Sequence, residues 1–274
     1  MHAPTASNRS LPRLALALAV ALLVPLAGCG GGGGGGGEVL GARVAIVGLE
    51  QAAYEPGTTR YVHGYGGAIP TLAITGAPAD ADGSRWAMLH DGSSYRLYFM
   101  RLGDDTTLYQ FGYNASARAY EYGYDSISRL GIAGAPPGAD PSSIAMLHDG
   151  SDYRLYMRDR SDPRRLHQFA YNASSGDYEY GYRSISGIDT TGAPADADFS
   201  RWAMLHDGTT YRQYVAKSGS ADTLYQFGFD GRTYAFGYSS IAQLTVEGMP
   251  SSSNTSTFAM QHGGGKYRFY NLSR

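Results

Sequence analysis

Beyond Val39 the chain alternates short apolar runs with clusters of Gly, Asn, Asp and Pro, and no stretch sustains the roughly 3.6-residue apolar period of an amphipathic helix. The pattern predicts an all-β fold. Residues 86–90 are apolar at nearly every position, as expected of a strand whose neighbours cover both faces. Asp91-Gly92 follows as a tight hairpin turn, since both residues tolerate positive φ. Further strands are predicted at 95–98, 108–113 and 120–124. In the last of these Tyr120, Tyr122 and Tyr124 share one face, while Glu121 and Gly123 share the other. This grading from apolar to half-polar suits a sheet with its first strand innermost and its last strand peripheral.

The whole pattern recurs. Trp-Ala-Met-Leu-His-Asp-Gly at 86–92 returns as Ile-Ala-Met-Leu-His-Asp-Gly at 144–150 and unchanged at 202–208, with a divergent copy, Phe-Ala-Met-Gln-His-Gly-Gly, at 258–264. The histidines His90, His148, His206 and His262 are spaced by 58, 58 and 56 residues. A fixed period of this length means one supersecondary unit copied in series, whose copies stack to bury their apolar faces. The linker between units is constant: 17 residues separate Ile69 from Trp86, Ile127 from Ile144, Ile185 from Trp202 and Ile241 from Phe258. The shorter step arises instead in a hairpin tip, where 114–119 shrinks to 230–233. Hairpin tips tolerate length change, whereas a linker of fixed reach between packed units does not. The segment 49–69 lines up with the third and fourth strands of a unit, and the chain ends after a fourth copy of the first two. Two half-units make a whole, and pairing them removes the exposed sheet edges. The expectation is a closed four-bladed β-propeller over residues 39–274, its N-terminal strands completing the last blade.

Gly-x-Pro ahead of each inner strand, Ala87, Ala145, Ala203 and Ala259 within it, and Gly123-Tyr124 with Ile127 and its counterparts closing the unit together resemble hemopexin-type repeats. The resemblance implies a four-bladed disc around a channel that often holds ions, with roles in binding haem, proteins or polyamines. The chain departs from the family in lacking its Asp-Ala-Ala-Phe opening and in having a longer repeat.

Composition adds an address. Arg9 and Arg13 precede an apolar run at 14–27 that is too short for a comfortable membrane span. It ends in Leu26-Ala27-Gly28-Cys29, which resembles the lipobox of bacterial lipoproteins. That resemblance implies removal of residues 1–28, acylation of Cys29 (palmitate among the added chains) and anchoring to the outer membrane, on its periplasmic or surface side. Cys29 is the only cysteine, so no intrachain disulfide forms. Residues 29–38, with the glycine run 30–37, read as a tether. Without Arg9 and Arg13 the chain holds 20 basic against 24 acidic residues and no basic block, which excludes nucleic acid as a partner.

The candidate chemistry is repeated too. His90, His148, His206 and His262 end the inner strands and would ring the mouth of a channel, a donor set suited to a divalent metal ion. Arg96, Arg154, Arg212 and Arg268 each follow a tyrosine on the second strand and are candidate ligand-facing cations. Asp80, Asp82, Asp196 and Asp198 alternate with alanine in two linkers, a spacing that could hold calcium. The 23 tyrosines offer stacking faces for sugar rings. No catalytic motif is present, and identical groups repeated around a ring do not converge as different catalytic groups must. The reading is a monomeric, non-catalytic envelope module that binds a protein or small ligand, with a lectin-like propeller or a metal- or haem-binding protein as alternatives. Labelling with radioactive palmitate in a lipoprotein-processing bacterial host should be incorporated by the wild type and lost in Cys29→Ser.

Overall fold

The computed structural model describes residues 46–273; the leader, Cys29 and the glycine run lie outside the described residues. Strands β1 (Gly48–Tyr54), β2 (Arg60–His63) and β3 (Thr71–Thr75) come first. The first full unit is β4 (Ala81–His90), β5 (Tyr95–Arg101), β6 (Thr107–Asn114) and β7 (Ala119–Tyr122), followed by the linking strand β8 (Arg129–Ala133). The second is β9 (Ala139–His148), β10 (Tyr153–Asp159), β11 (Arg165–Asn172) and β12 (Asp177–Tyr180), followed by β13 (Ile188–Thr191). The third is β14 (Ala197–His206), β15 (Tyr211–Lys217), β16 (Thr223–Phe229) and β17 (Tyr234–Phe236), followed by β18 (Gln243–Glu247). The chain finishes with β19 (Ser253–Gly263) and β20 (Lys266–Ser273). A single 3₁₀ turn, Tyr65–Gly67, is the sole helical element among the described residues.

Successive strands of a unit pair antiparallel. β20 pairs with β1 in the register Leu49↔Leu272, and β1 pairs with β2, so β19, β20, β1 and β2 form a sheet of the same order from the two ends of the chain. Leu49, Ala52 and Leu272 at this junction are fully buried. The inner strands pack in a cycle, β4 on β9, β9 on β14, β14 on β19 and β19 on β4. The arrangement is propeller-like, and the half-units at the two ends meet as the repeat phase requires.

The linkers hold a strand that the alternation pattern did not reveal. β8 pairs antiparallel with the start of β6 in its own unit and parallel with β12 of the next. β13, β18 and β3 repeat this, bridging β11 to β17, β16 to β2 and β1 to β7. A strand tied by backbone hydrogen bonds on both sides cannot change length without breaking a ladder, which explains the invariant linker. Each is only four or five residues long, too short to stand out against the surrounding turns.

Each inner strand also begins earlier than expected and carries a bulge, seen as register shifts between Asp82 and Trp86, Asp198 and Trp202, and Asn254 and Ala259. The bulge is held by a side chain. Asp82, Asp140, Asp198 and Asn254 each accept from the backbone N–H and the hydroxyl of the serine two residues on. Asp80 and Asp196 accept from Tyr109 and Tyr225 at 2.8 Å. The alternating linker acids therefore fasten turns and strands.

Between units the core is built from tyrosines on second and fourth strands. Tyr98 hydrogen-bonds Tyr178, Tyr156 hydrogen-bonds Tyr234, and Tyr214 hydrogen-bonds Tyr61, each pair spanning adjacent sheets. Tyr270 accepts from Gln51 at 2.6 Å, as Tyr156 does from Gln168, while Tyr120, which faces it, hydrogen-bonds Gln261. Burial pushes all of these hydroxyls up, and the mutual bonds satisfy groups that water no longer reaches.

Removing residues up to 69 deletes β1 and β2 and leaves β20 as a bare edge. Light scattering should then show association and calorimetry a broadened, lowered transition. A truncated protein that stays monomeric and melts like the wild type would contradict the paired ends.

Candidate functional site

The tight turn after each inner strand does more than reverse the chain. Gly92, Gly150 and Gly208 sit at φ of 91, 92 and 93°, where a side chain would be strained. The preceding aspartates, Asp91, Asp149 and Asp207, close the turn by accepting backbone N–H bonds from Ser93 and Ser94, Ser151 and Asp152, and Thr209 and Thr210. Their second oxygens reach outward. Asp149 Oδ2 lies 2.6 Å from Arg154 Nε and accepts from Tyr211 of the next unit at 3.2 Å. Asp207 repeats this with Arg212 at 3.0 Å and Tyr267 at 2.9 Å. Asp91 accepts from Tyr153 at 3.0 Å, with Arg96 Nε at 3.6 Å. One carboxylate thus fastens a turn, aims a guanidinium and ties the neighbouring sheet.

Each guanidinium is fixed from the other side by a strained loop. Nη1 of Arg96, Arg154 and Arg212 donates to the carbonyl of Asp125, Arg183 and Ser239 at 2.6, 2.8 and 3.2 Å. Those three residues hold φ of 43, 42 and 46°, the left-handed region that costs a non-glycine residue on the order of 1 kcal/mol. The loop then turns a serine inward and an isoleucine outward.

The result is a pocket at each of three junctions. Between the first and second units, Arg96, Tyr98, Gln110, Ser126, Ile127, Tyr153, Tyr171 and Tyr178 line about 280 Å³. Between the second and third, Arg154, Tyr156, Gln168, Arg183, Ser184, Ile185, Tyr211 and Phe229 line about 200 Å³. Between the third and fourth, Arg212, Tyr214, Gln226, Ser239, Ser240, Ile241, Tyr267 and Tyr54 line about 350 Å³. The hydroxyls of Ser126 and Ser240 are buried without a protein partner. Ile127, Ile185 and Ile241 at the mouths are 52, 49 and 38% exposed, unusual for isoleucine.

The structure therefore brings three of the four expected arginines into pockets. The fourth junction departs. Gly263 replaces the turn aspartate, and Arg268 keeps a buried Nε without an acceptor. A Cβ on Gly263 would lie 2.6 Å from the Tyr95 hydroxyl, so Tyr95 fills the space its counterparts leave to a carboxylate.

The four histidines come together as the repeat requires. His90, His148, His206 and His262 line one small space of about 10 Å³ with Leu89, Met146 and their equivalents. Each imidazole packs on the tyrosine of its own hairpin, with ring centroids 4.2–4.6 Å apart. Among the described residues no three His, Cys, Asp or Glu side chains are grouped to hold a metal ion.

The serines and isoleucines of the pockets escaped the sequence reading. Their signal was the recurring Gly-Tyr-x-x-Ile, which reads as the end of a strand; only the left-handed residue turns it into a pocket rim.

No family model matches this chain, and no curated protein does. Among solved structures it is similar to the fucose-specific lectin from Aleuria aurantia, at 14% identity and a TM-score of 0.35, over 78% of this chain and 60% of that one. It is similar to AofleA from Arthrobotrys oligospora at 13% identity and a TM-score of 0.34, over 78% of this chain and 61% of that one. A subtype N10 neuraminidase-like protein of A/little yellow-shouldered bat/Guatemala/060/2010 gives 13% identity and a TM-score of 0.28, over 55% of this chain and 41% of that one. The chain spans about 60% of the length of the two lectins.

The site has a pH signature. Burial lowers His90, His206 and His262 below the usual 6.5, so folding favours their neutral forms. That stability is complete above pH 6.5 and declines as pH falls through it. Burial works against ionisation of Asp91, but the bonds from Ser94 and Ser93 outweigh it and bring the group to about 2. Asp149 and Asp207 are lowered likewise. Their contribution is present above the usual 3.8 and lost as pH falls through the folded values. Urea unfolding followed from pH 8 to 2 should show two declines, and Asp149→Asn should flatten the acid one while steepening the one near neutrality, because the Asp149 charge partly offsets the lowering of His206.

Proposed function

We propose that the chain is a closed four-bladed propeller that binds carbohydrate, non-catalytically, through its three equivalent junction pockets. The observation that carries this reading is the threefold recurrence of one chemistry: a pre-positioned guanidinium, tyrosine rings, a buried unpartnered or weakly bonded serine hydroxyl, and an exposed isoleucine at the rim. Vicinal sugar hydroxyls suit a guanidinium held in plane, and the C–H face of a sugar ring suits tyrosine and isoleucine. The pockets are mostly apolar with a few convergent polar groups, the usual make-up of a small-molecule site.

Repetition fits binding better than catalysis. Three weak sites on one rigid ring engage a branched or clustered glycan together, and the combined affinity exceeds that of one site by about 10²–10⁴-fold. Acylated at Cys29, such a module would present its pockets from the outer membrane at the end of a glycine tether.

A glycan array followed by calorimetry tests the reading. The exposed rim residues can be changed without disturbing the core, so Ile127→Ser, Ile185→Ser and Ile241→Ser should each weaken glycan binding at one site about tenfold, roughly 1.4 kcal/mol. The triple variant should melt like the wild type and lose avid binding. An array on which no glycan is retained, or a triple variant that binds unchanged, would overturn the proposal.

A further inference from the structure

One residue breaks the repeat on the opposite side. The second strands carry Met100, Ala216 and Leu272 at one core position, each paired with a leucine; the second unit carries Arg158 there, facing Leu166. Arg158 is only 2% exposed. Its guanidinium lies between Trp202 at 4.1 Å and Phe199 at 4.6 Å. Nη1 donates to the Pro163 carbonyl, but Nε and Nη2 are buried without an acceptor, and no carboxylate of the described residues pairs with it. A buried cation without a counter-ion is costly, and three apolar sister residues show that the fold does not need one here.

Arg158 and Phe199 line a cavity of about 770 Å³ near the Asp140 end of β9, away from the junction pockets at the His148 end. The four carboxylates on its walls are already engaged: Asp198 with Arg201 and Ser200, Asp140 with Ser142, Asp159 with His167, and Asp196 with Tyr225 and Lys217. Nε and Nη2 form the edge of a guanidinium that takes a carboxylate or phosphate side-on through two parallel hydrogen bonds. Trp202 is buried, whereas Phe199 is half-buried on the cavity wall with its ring against the guanidinium.

We infer that this cavity is a second binding site, for a small ligand bearing a carboxylate or phosphate group, which docks on Nε and Nη2 of Arg158 as Phe199 swings aside. The site trades stability for binding. Substitution by the sister residue, Arg158→Met, removes the unpaired charge and should raise Tm in anion-free buffer. Inorganic phosphate and acetate, each compared with chloride at equal ionic strength, should raise the wild-type Tm by about 2–4 °C. The anion giving the larger rise identifies the head group. Arg158→Met should show no anion-specific rise, and Phe199→Ala, which removes the ring packed between guanidinium and cavity, should reach the same rise at lower anion concentration. A wild type indifferent to both anions, or an equal response in Arg158→Met, would overturn the assignment. Neither result bears on glycan binding at the junction pockets, which is read separately.

Discussion

The parallel pairing of each linking strand with the outer strand of the next unit is the constraint on which the rest depends. β8 on β12, β13 on β17, β18 on β2 and β3 on β7 turn separate sheets into one hydrogen-bonded circuit. Backbone ladders have a fixed register, so the units stand at a fixed spacing and the inner strands converge on one axis. The same pairs cover the outer part of each sheet, where a bare strand would recruit other chains. Nothing about a side chain could impose this spacing as firmly, and every pocket inherits its shape from it.

On that frame the turn aspartate sets the chemistry. Its two oxygens divide the work: one closes the hairpin, the other bridges an arginine to the tyrosine of the neighbouring sheet. A guanidinium held by a buried carboxylate and a backbone carbonyl is pre-organised, so little rotamer entropy remains to be lost when a ligand arrives. Where the chain ends meet, the aspartate is gone, Tyr95 occupies its place and the guanidinium is left short of a partner. Symmetry of sequence therefore overstates symmetry of geometry: the fourth junction has the arginine without the carboxylate that aims its counterparts.

Most buried tyrosine hydroxyls and linker carboxylates are matched, although Ser126, Ser240 and Arg268 also keep buried polar atoms without a partner. Tyrosine hydroxyls bond one another across sheets, glutamines bond tyrosines, and linker acids fasten bulges. Arg158 stands out against that economy, a cation enclosed by aromatic rings with half of its edge unserved. Departures of this kind concentrate at functional sites, where a stability cost persists because something binds.

The repeat period, the Asp-Gly turns and the complementary half-units determined by themselves that this is an all-β ring of stacked units whose ends pair, because periodicity and turn chemistry are local properties. The constant 17-residue linker announced a fixed spacing, but not that it was a strand, since four residues paired on both sides carry no alternation distinct from a loop. Repetition also named the arginines and histidines in advance. Their surroundings were decided by tertiary structure: each histidine stacks on a tyrosine, while left-handed loop residues far along the chain from the arginines build pockets around three of them. Arg158 looked like any charged strand residue. Only the fold, by closing Phe199 and Trp202 over it, made its charge exceptional, because burial is a property of the assembled sheets and not of the chain.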